Sequence, residues 1–303
     1  LDLWLTFVRE TSGLRDPALD LIFGDAFLTW ESALLVSASR ERIAIVGRFE
    51  VEEVQRMGLY STVSGYDESI KPVLLSVLDR LQPRTIAINT SRNSVHADGL
   101  THGMYMRLVD MLSGTEYPPR LTSSEPIINA LRGRKTPTEV ELIRKAIRST
   151  ASIYSETFEQ LKAGMRETDL ADLMHAQVQR RGLETAWTYD SCPMVNAGSD
   201  SPVGHSGPTD LVIQPGQIVH FDFGVRQDGF CADIQRCVYI LRPGEKQPPA
   251  EVQEGFSVIR QAIEAARSKL VPGTAGWEVD AAAREVVTRA GFPEYKYATG
   301  HQL

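Results

Sequence analysis

The chain has 303 residues, 42% hydrophobic and 23% charged, a composition that excludes disordered and fibrous architectures and suffices for two domains of ordinary size. Its formal net charge is −7, with lysines and arginines scattered rather than clustered, so a nucleic-acid partner has no electrostatic footprint. No apolar run reaches the roughly 18 residues of a membrane-spanning helix and no signal-peptide pattern opens the chain, so no membrane partner and a cytoplasmic location are expected.

In chain order, the opening "LDLWLTFV" reads as a strand already under way, without an initiator methionine, and both ends of the chain are expected to be incomplete. Further β-branched runs, "LLVSAS", "RIAIVGRF" and "TIAIN", alternate with the amphipathic stretches "ESIKPVLLSVLDRLQP" and "THGMYMRLVDMLSG". This alternation predicts an α/β domain with a largely parallel sheet. The Pro- and Ser-rich "EYPPRLTSSEP" then predicts a linker near residues 116–126, which divides the chain into domains 1–126 and 127–303.

The second part opens with a strong helix start: Thr136 as cap, Pro137 at the first position and Glu139 completing a capping box. That helix is predicted to end at Gly164, and a second to run from a Thr168 or Asp169 cap to Gly182. The segment 161–182 matches 270–291 at an offset of 109, sharing Leu, Gly, an acid, Val, Arg and Gly in register. Each copy follows a long helix. The first is followed by the strands that hold "HFDFG" and the second by only twelve residues, so its sheet is expected to lie beyond Leu303.

The stretch "HFDFGVRQDGFCADIQR" carries Asp222 and Asp233 eleven positions apart. Asp228-Gly229 signals a type I′ hairpin turn, whose two central residues need positive φ. That turn pairs Gln227 with Phe230, Gly224 with Asp233 and Asp222 with Gln235, and so places Asp222, Gly224, Asp233 and His220 on one face. The carboxylates become diagonal neighbours about 7 to 8 Å apart at the backbone. Phe221, Phe223, Val225, Phe230, Ala232, Ile234 and Val238 form the other, apolar face. Converging carboxylates repel unless cations stand between them, and Gly224 is expected to leave room for a ligand. A metal pair fits these residues; a solvated face of an amphipathic hairpin is the competing reading.

Two histidines are candidates to join the carboxylates, each with an ordinary exposed or locally bonded histidine as the competing reading. His205 lies in the loop "NAGSDSPVGHSGP" just upstream of the hairpin, and His301 follows Thr-Gly at the end of the chain. His96, His102 and His175 receive structural readings, as do Cys192, Cys231 and Cys237, which form no C-x-x-C pair. No G-x-S-x-G, Walker A, G-x-G-x-x-G or H-E-x-x-H stretch is present.

Together these residues resemble the metallopeptidases of the pita-bread fold, in the Xaa-Pro dipeptidase (prolidase) and aminopeptidase P branch. "FDFG", "ADIQR" and "TGH" are similar to that family's first three metal-ligand motifs, which implies Asp222, Asp233 and His301 as ligands. "VNAGSDSPVGHSGP" is similar to the segment supplying a substrate-contacting histidine, which implies His205 as a catalytic residue. The opening domain is similar to the family's creatinase-like N-terminal domain. The implied architecture is thus a creatinase-like α/β domain followed by an α+β pita-bread domain with an internal pseudo-two-fold repeat, incomplete at its C-terminus.

The resemblance further implies hydrolysis of the peptide bond preceding proline in a small peptide substrate by a hydroxide bridging two divalent metal ions, manganese foremost, with cobalt or zinc as alternatives. His205 would donate a hydrogen bond to the developing oxyanion. A homodimer is a family-level expectation. The family completes its site with two glutamates downstream of the histidine, for which no position here exists, so the chain as given is expected to turn over little or no substrate. Two alternatives stay open: a non-catalytic peptide- or protein-binding module on the same scaffold, and a metal-free creatinase-like C–N hydrolase.

Overall fold

Strand β1 (Leu3–Val8) alternates strictly, Leu3, Leu5 and Phe7 on one side and Trp4, Thr6 and Val8 on the other, yet all six are buried, so both sides of its sheet are covered. The protein is described here by a computed structural model over residues 1–202 and 206–302, and it divides into two compact units, Leu1–Arg134 and Lys135–Leu303. No helix among the described residues is long and apolar enough to cross a membrane.

In the first unit, β1 is followed by the short α1 (Leu19–Ile22), the hairpin β2 (Ser32–Ser37) and β3 (Arg42–Gly47), α2 (Val51–Arg56), β4 (Thr62–Tyr66), α3 (Lys71–Leu81), β5 (Ile86–Ile88), α4 (His102–Leu112), β6 (Leu121–Ser123) and α5 (Glu125–Gly133). The six strands form one sheet in the order β4-β3-β2-β1-β5-β6. Leu3, Leu5 and Phe7 pack with Leu74, Leu78, Leu108 and Leu112 from α3 and α4. Leu34, Ala44 and Val46 pack on the opposite side with Leu19 and Val54 from α1 and α2. Helices therefore cover both faces. The buried polar groups between them are paired: Asn89 accepts from Trp4 Nε1 at 2.8 Å and donates to Asp16 Oδ2 at 2.9 Å.

Two expectations for this unit need correction. The sheet is mixed rather than largely parallel, because β2 runs antiparallel to both of its neighbours, β1 and β3. The tight turn joining β2 to β3 reverses the chain and makes this pair antiparallel. The segment expected to be a linker instead holds β6, paired in parallel with β5, and the division into units falls after Arg134, beyond α5. Proline and serine there shape a short edge strand, a position in a sheet that tolerates them.

The second unit begins with α6 (Pro137–Gln160) and α7 (Glu167–Arg180), followed by β7 (Glu184–Thr185), β8 (Met194–Ala197), β9 (Ile218–Phe223), β10 (Val225–Gln227), β11 (Phe230–Cys231), β12 (Ile234–Tyr239), α8 (Ala250–Lys269) and α9 (Gly276–Arg289). The capping box of α6 forms: Thr136 Oγ1 accepts from Glu139 N–H at 3.3 Å, and Thr136 N–H donates to Glu139 Oε2 at 2.6 Å. The helix ends at Gln160, and Gly164 serves the following turn at φ 90°. Helix α7 starts at Glu167, ahead of both expected caps, because Asp169 reaches back to accept the Arg166 N–H at 2.8 Å.

The internal repeat is visible in the backbone. Helices α6 and α8 end 109 residues apart, and α7 and α9 start and end at that same offset. Gly164 and Gly273 (φ 90° and 95°) occupy equivalent turns, as do Gly182 and Gly291 (φ 62° and 87°), so the shared glycines mark left-handed positions. The copies differ in cover. Tyr154 on α6 is buried and its counterpart Ile263 on α8 is 57% exposed; Thr150 and Ile259 differ in the same way.

Glu167, the first residue of α7, is fully buried and fully partnered. Ala197 N–H of β8 donates to Oε1 at 2.7 Å, while Thr209 N–H and O–H donate to Oε2 at 2.9 and 2.7 Å. The carboxylate thus ties α7 both to β8 and to the segment leading into β9. A Glu167→Gln substitution sets an amide NH2 against one of these donors. The expected cost is about 2–3 kcal/mol, read as a lower urea midpoint with an unchanged slope; an unchanged midpoint would show that the clamp is dispensable.

Candidate metal centre

The hairpin forms in the register that its turn dictates. Asp228 and Gly229 adopt φ 52° and 82°, Gln227 pairs with Phe230, and Asp222 pairs with Gln235. The register is kept without a bulge across Gly224, but the ladder is interrupted there, so β9 and β12 stand in one sheet and β10 and β11 in another. Helix α6 holds the tip and the middle: Lys145 Nζ lies 2.6 Å from Asp228 Oδ2, and Ser149 O–H donates to Gln227 Oε1 at 2.8 Å. Thr150 Oγ1 accepts from Val225 N–H at 3.2 Å, and Tyr154 O–H donates to the Ile234 carbonyl at 2.7 Å.

The apolar face packs against this helix. Tyr154 meets Phe221 and Phe223 edge to face with ring centroids 6.1 and 5.8 Å apart, and Phe221, Phe223, Val225 and Ala232 are fully buried. With one face committed to the core, Asp222 and Asp233 must emerge on the other.

There the two carboxylates confront each other. Burial, then the charge of Asp233 and a hydrogen bond shared with it, pushes the pKa of Asp222 from 3.8 up to about 6; the weaker pulls of His220 and Gln235 do not cancel this. Asp222 is only 9% exposed. Its Oδ2 accepts from Gln235 Nε2 at 3.1 Å, and its buried Oδ1 has no hydrogen-bond partner among the described residues. Asp233 Oδ2 lies 3.1 Å from His301 Nε2. Asp222, Asp233 and His301 are therefore brought together pairwise. Among the described residues, no set of three or more His, Cys, Asp or Glu side chains is gathered as a finished metal cage. The residues nonetheless fit a cation: a buried carboxylate oxygen with no donor, facing a second carboxylate, is in the situation that a positive charge relieves.

His205, the expected substrate-contacting residue, lies outside the described residues. His175 packs within the fold, stacked on Tyr189 at 3.8 Å with Nε2 2.8 Å from the Cys192 carbonyl. Gly224 has a different reason from the one expected. A Cβ on it would lie 1.6 Å from the Ala232 carbonyl oxygen, so close backbone approach, not room for a ligand, requires glycine.

Sequence reasoning passed over two residues. Gln235 bridges the site, accepting at Oε1 across 3.2 Å from His220 Nε2 while donating to Asp222; its signal was present in the predicted pairing with Asp222. Glu167 gave no sequence signal, since an acid in the first turn of a helix is ordinary.

With this geometry in view, comparison with known proteins is informative. Residues 141–303 match metallopeptidase family M24, and the chain belongs to that family of pita-bread-fold peptidases. It is 28% identical over 263 residues to the Xaa-Pro dipeptidase of Lactobacillus helveticus, covering 87% of this chain and 68% of that protein. It is 27% identical to that of Lactobacillus delbrueckii subsp. lactis, covering 80% of this chain and 63% of that one. The chain thus spans about two thirds of the length of these relatives. Its fold is similar to the X-Pro aminopeptidase of Thermotoga maritima, with a TM-score of 0.67 at 23% identity over 96% of this chain and 76% of that one. The Xaa-Pro dipeptidase of Bacillus anthracis gives 0.69 at 19% identity over 99% and 76%.

Two outcomes are expected. Gly224→Ala forces the paired strands apart and costs about 3 kcal/mol or more in urea unfolding; wild-type stability would show that the backbones yield easily. In the metal-free protein, the raised pKa means that the folded state holds the Asp222 proton more tightly than the unfolded chain does. This contribution is complete below about pH 4 and is lost as pH rises through about 6. Unfolding free energy should therefore decline across that window by about 1–2 kcal/mol, allowing for solvent screening, and Asp222→Asn should flatten the decline. An equally steep decline in the variant would place the titration elsewhere.

Proposed function

We propose that the protein is a metal-dependent peptidase acting on the bond that precedes proline in small peptides. The observation that carries this reading is Asp222 Oδ1, buried without a partner among the described residues, in a carboxyl whose pKa a second carboxylate raises, on a hairpin whose other face is committed to the core. The relatives named Xaa-Pro dipeptidase and X-Pro aminopeptidase support the substrate class.

Asp222, Asp233 and His301 are the residues of this chain that would hold two divalent ions, with manganese the leading candidate for carboxylate and imidazole ligands. When bound, such ions supply Lewis-acid polarisation of the scissile carbonyl and water acidic enough to act near neutral pH. The chain's own part is to keep the ligands in place and charged. Burial and mutual repulsion favour the protonated form of Asp222, and a bound cation would displace that proton into solvent, so ion binding and deprotonation are linked. His205 is assigned to the substrate, as a donor to the carbonyl oxygen that gains charge during attack. The unit Leu1–Arg134 is assigned to a creatinase-like N-terminal domain and Lys135–Leu303 to the catalytic one.

The test is hydrolysis of an Xaa-Pro dipeptide and a longer Xaa-Pro peptide by the full-length protein, chelated and then supplied with manganese. Turnover of at least one should return with the metal and fall at least about 10³-fold in Asp233→Asn, since a lost metal ligand removes the chemistry with the ion. Turnover of the dipeptide alone selects dipeptidase, and of the longer peptide aminopeptidase. No turnover of either with metal restored would sink the proposal.

A further inference from the structure

We infer that Gln235 is a positioning residue for Asp222 and that His220 favours the direction in which its amide points. This inference rests on the proposed metal site and adds residues to it that do not themselves bind metal.

The argument begins with pairing. Across β9 and β12, Gln235 stands directly opposite Asp222, and Cys237 stands opposite His220, so Gln235 lies on the carboxylate face between His220 and Asp222. A primary amide has a donor end and an acceptor end, and which end meets Asp222 decides whether the contact attracts or repels. Here Asp222 assigns the ends, and His220 favours the same orientation when its proton is on Nε2. His220 Nε2 is 3.2 Å from Gln235 Oε1, where an N–H donates, and Gln235 Nε2 then donates to Asp222 Oδ2 at 3.1 Å. Turning the amide over would bring its oxygen against a carboxylate oxygen, and His220 would have to shift its proton from Nε2 to Nδ1 to accept from the NH2.

The consequence falls on the other oxygen of Asp222. A carboxylate on a strand can rotate about its last torsion and present either oxygen, or both, to a cation. With Oδ2 engaged by Gln235, that rotation is stopped. Oδ1 is left buried, without a partner among the described residues, in a carboxyl that feels the charge of Asp233. Gln235 therefore selects which lone pairs a cation meets, and His220 acts one step further out. Such outer partners of metal ligands shape affinity without touching the ion, typically by about 10- to 100-fold.

The role can be separated from plain structure. Gln235 is largely exposed, so Gln235→Met keeps the length of the side chain, removes both hydrogen bonds and leaves the fold intact. Affinity for manganese is measured by calorimetry on the chelated full-length protein, with the absorption spectrum of bound cobalt(II) as a second readout and the thermal melt of the metal-free form as a control. Gln235→Met is expected to weaken manganese binding by about 10- to 100-fold and to change the cobalt spectrum, while the metal-free melt stays within a few degrees. His220→Phe should weaken binding by less, and the double variant should be no weaker than Gln235→Met alone, because His220 acts only through the amide. Unchanged affinity in Gln235→Met overturns the positioning role, and additive losses in the double variant overturn the role of His220. A wild-type protein that binds no metal overturns the underlying functional reading, a result distinct from either.

Discussion

The aromatic face of β9, where Phe221 and Phe223 meet Tyr154 edge-on, is what sends Asp222 to the other side of the sheet. Each buried phenylalanine contributes about 1.5–3 kcal/mol from burial, so the two rings together offset the cost of holding Asp222 at a raised pKa, about 3 kcal/mol at most. Packing wins, and the electrostatic tension is kept rather than relaxed. A hairpin without that helix-backed face could rotate its carboxylates apart into water. This one is gripped by α6 at its tip through Lys145, at Gln227 through Ser149 and at Ile234 through Tyr154.

Legibility in the sequence followed the range of the forces involved. The turn at Asp228-Gly229 and the register it imposes are local, decided by backbone sterics over two residues, and the pairing of Asp222 with Gln235 could be written down from spelling alone. The helix repeat was legible for a similar reason, since its glycines occupy left-handed turns that few other residues accept. What stayed hidden depends on chain segments meeting at a distance. Nothing near Gly224 announces that Ala232 O will come within 1.6 Å of where a Cβ would sit, and nothing near Glu167 announces Thr209 as its partner. The edge strand β6 was lost because proline and serine read alike in a linker and at a sheet margin. Of the candidate site, both carboxylates and His301 could be picked out, whereas the amide joining His220 to Asp222 was passed over because glutamine carries no charge to attract notice.

The two helix pairs show how the same local design is used differently. In the first, α6 turns Thr150 and Tyr154 inward onto strands and Glu167 anchors the start of α7. In the second, the equivalent of Glu167 is Gly276, and α8 and α9 pack chiefly on each other through Val258, Ala262, Ala266, Ala283 and Val287. Small residues at that contact bring the helices close together. The face that carries Asp222 and Asp233 is therefore built by the first copy, and the second copy's place is at its margin, where Asp280 accepts from Thr299 N–H at 2.8 Å just ahead of His301.

The unbroken register from Gln227–Phe230 to Asp222–Gln235 carries a consequence for how this segment can change over evolutionary time. Side chains on a strand alternate with a period of two, so the separation between the aspartates behaves like a parity bit. Gaining or losing one residue within a strand, between the turn and either aspartate, would point that carboxylate into the aromatic core and expose a phenylalanine in its place. Changes that come in pairs keep both carboxylates on their own side. The strand segments between the turn and the aspartates are thus constrained in count, while the turn itself is constrained in composition to residues that accept positive φ.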